Sequence, residues 1–143
     1  MIVNGANADA LTVATSSGDI KLDSVSSKDT RISANSGDVS LGDVVMDNID
    51  LKTSSGNITS GSIKAKCING RASSGDVMIR ECDASEINVV TTSGDVSIGI
   101  GSEMKYEYNT KTSSGDVNVP DSVEEADGKC NIETSSGDID VTQ

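Results

Sequence analysis

Apolar residues return along this chain in columns set by one repeated phrase, Ser-Gly-Asp or Ser-Gly-Asn. With its copies aligned on the glycine, the second residue after it is always β-branched: Ile20, Val39, Ile58, Val77, Val96, Val117 and Ile139. The fourth residue after it is Leu22, Leu41, Ser60, Ile79, Ile98, Val119 or Val141, apolar in all copies but one. Inward positions two apart predict a strand after each glycine. Before the glycine, the fifth position back holds Val13, Ile32, Leu51, Gly70, Val89, Thr110 and Ile132; the seventh back holds Leu11, Thr30, Ile49, Ile68, Ile87, Tyr108 and Cys130. These columns predict a second strand. Inward parity is odd before the glycine and even after it, so the two strands cannot be one strand with a single buried face, and a corner is predicted between them. Glycine suits a corner because it takes positive φ, and Ser and Asp side chains bond readily to nearby backbone. A third apolar column, Val25, Val44, Ile63 and Cys82, predicts another short face that fades in the last coils.

The glycines stand at Gly18, Gly37, Gly56, Gly75, Gly94, Gly115 and Gly137, with successive spacings of 19, 19, 19, 19, 21 and 22 residues. A period near 20 over most of a chain means small units that stack on their neighbours. The predicted fold is all-β: a single-stranded right-handed parallel β-helix, or β-solenoid, of about seven coils of 19–22 residues, filling residues 1–143 as one domain. The hand follows from the crossover rule, and a spacing of about 4.8 Å between coils gives a rod roughly 30 Å long. A helical apolar period is absent, and the acidic stretch from Asp121 to Gly128 reads as an exposed loop. The sequence stops at Gln143, just after the strand of the seventh repeat, so that repeat is expected to be an uncovered last coil. The chain is therefore expected to be part of a longer protein, or to pair end to end or edge to edge as a homo-oligomer.

Composition sharpens this picture. Phe and Trp are absent and aromatic residues are 1% of the chain, which argues against a conventional globular core. Eleven basic residues against 23 acidic ones give a net charge of −12, so phosphate backbones and anionic membrane surfaces should be repelled and no nucleic-acid partner is expected. No apolar run approaches the roughly 20 residues of a membrane helix, so no membrane insertion by this segment is expected. The start, MIVNGANADA, lacks the regions of a signal peptide, leaving a cytoplasmic chain or one whose leader was removed. Cys67, Cys82 and Cys130 show no CxxC spacing, and without histidine they read as reduced structural thiols; no cofactor is expected.

The phrases TSSGDI and TSSGDV, at Thr15 to Ile20, Thr112 to Val117 and Thr134 to Ile139, carry a resemblance that covers nearly the whole chain. The chain resembles the bacterial adhesin family of β-strand-repeat domains of unknown function. That resemblance implies a right-handed β-solenoid, an address at the bacterial cell surface or envelope, and no established catalytic residues.

The column after the glycine, Asp19, Asp38, Asn57, Asp76, Asp95, Asp116 and Asp138, is the most suggestive chemistry. Carboxylates about 4.8 Å apart repel by about 1 kcal/mol in water and about 3 to 4 kcal/mol at an effective dielectric of 20, so something must offset them. Hydrogen bonds to turn amides would do so; calcium, which takes oxygen ligands, is the alternative. The serine before each glycine, Ser17 through Ser136, has no histidine to activate it and reads as a corner residue.

Four later coils carry asparagine on the outward side of the strand before the glycine: Asn69, Asn88, Asn109 and Asn131, after Thr12, Arg31 and Asp50. Such a face could bind a glycan, although it lacks the aromatic platform sugar sites favour. Lyases of acidic polysaccharides also use parallel β-helices, but they need a cleft of clustered basic groups, and the only arginines are Arg31, Arg71 and Arg80. The expectation is not an enzyme but a structural or adhesive surface module that presents repeated polar strand faces to a cell-surface protein or glycan. A calcium- or glycan-binding module is the alternative, ahead of a polysaccharide-active enzyme.

Overall fold

The structure, a computed structural model, describes residues 1–101 and 103–143. β1 (Ile2–Asn4) and β2 (Asn7–Ser17) form the first coil, and β3 (Ile20–Asp23) and β4 (Val25–Ser36) the second. β5 (Val39–Ser55), β6 (Ile58–Ser74) and β7 (Val77–Ser93) each run through nearly a whole coil. The remaining strands are β8 (Val96–Ile100), β9 (Tyr106–Ser114), β10 (Val117–Asn118), β11 (Gly128–Ser136) and β12 (Ile139–Thr142). All pairings are parallel, and no helix occurs among the described residues. The chain is the β-solenoid that its columns predict.

A straight strand of 17 residues would span about 56 Å at roughly 3.3 Å per residue. β5 instead wraps round the core, because Val39 lies beside Ile58 and Ser55 beside Ser74 in the next coil. Its buried residues show where it bends. Val39 and Leu41 face inward, then Val44 and Met46, then Ile49, Leu51 and Thr53. Each interval of three residues breaks the period of two, so a corner lies at Gly42–Asp43, another at Asp47–Asn48, and the third at Ser-Gly-Asn. The coil therefore has three faces: the first follows the glycine, the second carries the Val25, Val44, Ile63 and Cys82 column, and the third precedes the next glycine. The second face has a further inward column, Ser27, Met46, Ala65 and Ala84, whose small and mixed residues give no apolar signal in sequence.

At the Ser-Gly-Asx corner all seven glycines have positive φ, from 113° at Gly18 to 147° at Gly115. From the second coil onward the corner also needs hydrogen in place of a side chain, because a Cβ on Gly37, Gly56 or Gly75 would overlap the carbonyl oxygen of the preceding corner glycine.

The order of stacking departs from the order of the chain. On the first face it runs β1, β3, β5, β6, β7, β8, β12, β10. On the third face β11 lies between β7 and β9, with Asn131 in register with both Asn88 and Asn109. The seventh repeat is thus inserted between the fifth and the sixth. This corrects the expectation that the seventh repeat is the uncovered last coil: the sixth repeat is the end of the stack. Residues placed in core columns by sequence pay for that position. Val117 is 43% exposed, and Val119 and Thr110 are only half-buried.

At the sixth repeat the segment between β10 and β11 lies along the edge of β9. The Ser122 hydroxyl accepts from the Tyr108 amide at 2.9 Å and donates to the Tyr108 carbonyl at 3.4 Å, occupying backbone groups on the open edge of β9. As predicted, most of this acidic segment is exposed, although Gly128 at its end is buried and begins β11. Beneath it the two tyrosines close the core where the second face has run out. Tyr106 is 1% exposed and its hydroxyl donates to the Ala84 carbonyl at 2.5 Å. The ring of Tyr108 lies with its centroid 6.0 Å from that of Tyr106.

Candidate functional site

The corner column forms a continuous ladder through backbone amides. The amide of Asp38 donates to Oδ1 of Asp19 at 3.0 Å, that of Asn57 to Oδ1 of Asp38 at 2.8 Å, and that of Asp76 to Oδ1 of Asn57 at 2.9 Å. The Asp95 amide donates to Asp76 and the Asp138 amide to Asp95, both at 2.9 Å, and the Asp116 amide donates to Asp138 at 2.8 Å. Six of the seven side chains, all but Asp116 at the end of the stack, therefore offset the repulsion by accepting from the next coil's N–H, a charge-assisted bond where the acceptor is ionised. One side-chain oxygen of each of these six is occupied in this way. Asn57 shows that a neutral carboxamide performs the same task. Among the described residues, no three acidic or thiol side chains are grouped so as to hold a metal ion.

The corner serines lie in register, Ser17 beside Ser36 and Ser93 beside Ser136, and all seven are exposed. The chain has no histidine, so none of them has the imidazole partner of a Ser–His pair.

The asparagines also form a ladder, in spatial rather than chain order. Nδ2 of Asn88 donates to Oδ1 of Asn69 at 3.2 Å, Nδ2 of Asn131 to Oδ1 of Asn88 at 2.8 Å, and Nδ2 of Asn109 to Oδ1 of Asn131 at 3.1 Å. The insertion of the seventh repeat is what brings Asn131 between Asn88 and Asn109. The third face thus presents a fixed line of carboxamides, stiffened by its own bonds.

A second outward column runs beside it: Ala14, Ser33, Lys52, Arg71, Val90, Glu133 and Lys111 in spatial order. Together the two columns carry four cations, Arg31, Lys52, Arg71 and Lys111, and two carboxylates, Asp50 and Glu133. This face has a surplus of positive charge in a chain whose net charge is −12. Arg31 Nε lies 3.5 Å from Asp50, and Lys111 Nζ lies 3.6 Å from Glu133. Lys52 and Arg71 stand side by side in register and form no ion pair among the described residues. They line a depression of about 500 Å³ with Arg31, Ser33, Asp50 and Asn69. A second depression of about 480 Å³ continues along the same face over Asn88, Asn131 and Asn109. Sequence reasoning missed this basic cluster. Its members come from three coils and two columns, and the arginines by themselves do not mark it; laying both outward columns of the face side by side reveals it.

The cysteines are placed as structural thiols. Cys82 and Cys130 are buried, and burial pushes both up to about 12, so they stay protonated at neutral pH. Cys67 is half-buried, and its thiol is raised too, first by burial and then by the nearby Glu86 carboxylate.

Among known proteins, the family model described as Toastrack DUF4097 matches residues 2–142. No curated protein and no solved structure matches the chain.

Proposed function

The chain belongs to the Toastrack DUF4097 family, a family of unknown function, and on that premise we propose that it is a non-catalytic surface module of a bacterial envelope, whose third face meets a partner. The observation that carries this reading is the contrast between its two ladders. At the corner, polar groups are directed into neighbouring coils and serve the stack. On the third face, a self-bonded line of asparagines lies beside exposed side chains that include Val90 and two cations, Lys52 and Arg71, without an ion pair among the described residues. Fixed side chains lose little freedom on binding, which favours recognition by a preorganised surface. Catalysis lacks comparable support, because the corner serines recur without a base and the depressions on the third face are shallow. The bacterial surface address rests on the resemblance carried by the TSSGD phrases.

The test is retention of bacterial envelope fragments on beads carrying the chain. Val90 and Met78 are matched probes, 44% and 46% exposed on the third and first faces. Val90→Glu should abolish retention and Met78→Glu should preserve it. Failure of the unaltered chain to retain envelope material, or equal retention by both variants, would sink the reading.

A further inference from the structure

We propose that the depression around Lys52 and Arg71 binds the carboxylates of an acidic polysaccharide, a uronic-acid chain lying along the third face across the coils. This deepens the proposed function and rests on its assignment of the third face. Lys52 and Arg71 are directly opposite each other in neighbouring parallel strands, where like charges repel. Among the described residues neither cation forms an ion pair, and the one carboxylate lining the depression, Asp50, is paired with Arg31, whereas at the Asp corner every step carries a bond that offsets the repulsion. Arg31 adds a third cation one coil away, held toward the site by Asp50. An anion placed between Lys52 and Arg71 would turn a repulsive pair into two charge-assisted contacts, and the arginine fork suits a carboxylate.

The neighbouring column decides between a glycan and a peptide. Asn69 lines the depression, and its bonded neighbours Asn88, Asn131 and Asn109 continue as carboxamides spaced by one coil, about 4.8 Å. Asn131 and Asn109 each donate one N–H along the ladder and keep a second for a hydroxyl, and the ladder oxygens keep a second lone pair; the second N–H of Asn88 goes to Oε1 of Glu86 at 2.9 Å. A pyranose chain repeats hydroxyls and ring carboxylates at a comparable rise, so cations and carboxamides would meet successive sugars. An acidic peptide would instead seek a free strand edge for its backbone, and this face offers none.

The experiment is affinity electrophoresis or calorimetry of the full chain with polygalacturonate, neutral dextran and poly-glutamate at low and physiological salt. Polygalacturonate should bind and weaken with salt, dextran should not bind, and poly-glutamate should bind more weakly. Lys52→Gln/Arg71→Gln should weaken polygalacturonate binding by roughly tenfold or more. Lys28→Gln/Lys64→Gln removes the same charge from the second face and its far corner, away from the depression, and should leave binding unchanged. Thermal unfolding of each variant establishes that the fold is intact; should the double variant unfold, the single variants give the same reading. Absence of polygalacturonate binding, or equal loss in both double variants, overturns the proposal; poly-glutamate binding as tight as polygalacturonate overturns its assignment to a glycan. Envelope retention through the third face without polygalacturonate binding would sink this ligand while leaving surface display standing.

Discussion

The amide of Gly94 donates to the carbonyl of Ser136 at 3.0 Å, although the next corner serine along the chain is Ser114. Ser136 in turn lies in register with Ser114, so the seventh repeat separates two repeats that are neighbours in sequence. Nothing in the repeated phrase forbids this, because every coil offers the same corner to every other. The linkers permit it: the segments after β8 and β10 lengthen the last two spacings and let the chain skip a layer and return.

That order predicts a cross-linking pattern. Adjacent corner positions fall within the roughly 4.4 to 6.8 Å Cα separation a disulfide needs, whereas positions two layers apart lie near 10 Å. Ser93→Cys/Ser136→Cys should oxidise to a bridged monomer and Ser93→Cys/Ser114→Cys should not. Electrophoresis after mild oxidation checks both, and the reverse pattern would restore a stack in chain order.

Corner glycines should differ in their tolerance of a methyl group. Gly18 needs its positive φ but has open space where a Cβ would go; at Gly75 the same group would overlap the Gly56 carbonyl. Gly18→Ala should cost on the order of 1 to 2 kcal/mol from backbone strain alone, and Gly75→Ala clearly more. Urea unfolding of the two variants measures the difference.

Thr30 is a point of repairable weakness. It occupies the inward column of Ile49, Ile68 and Ile87, and its buried hydroxyl has no hydrogen-bond partner among the described residues. Thr30→Val keeps the shape and removes the unpartnered group, and should raise stability by about 1 kcal/mol. A lower melting temperature in the variant would show that the hydroxyl is satisfied in solution.

Alkaline pH should loosen the stack through the buried thiols. Cys82 and Cys130 hold their protons up to about 12 when folded, against an ordinary 9.0 when unfolded. In that window the unfolded chain binds fewer protons, so stability is fully present below pH 9 and falls as pH rises toward 12. Tyr108, also pushed up to about 12 by burial, acts in the same direction. At pH 10 the loss should be about 1 kcal/mol per thiol, and smaller in Cys82→Ala/Cys130→Ala measured against its own neutral-pH stability.

Much of this fold is legible in the sequence because the solenoid core is one-dimensional. A column such as Ile20, Val39, Ile58 and Val77 is buried in every interior coil, and alignment on the glycine is enough to find it. The exceptions are physical. Val117 satisfies the column yet lies in the end coil, where no further layer covers it, and the inward column of Ser27, Met46, Ala65 and Ala84 is hidden by its small residues. Asn88, Asn109 and Asn131 are visible as a face, but the ladder they make depends on a stacking order that identical corners do not encode. Lys52 and Arg71 acquire meaning only when one coil is laid on the next.

The division of labour between corner ladder and third face is tested most directly by one measurement: envelope retention by the unaltered chain, by Asp76→Asn/Asp95→Asn and by Val90→Glu, side by side. Asn57 already fills the ladder with a carboxamide, so the Asp variant should retain envelope material like the unaltered chain, and Val90→Glu should lose it. Retention lost with the Asp variant and kept with Val90→Glu would place recognition at the corner and contradict the assignment.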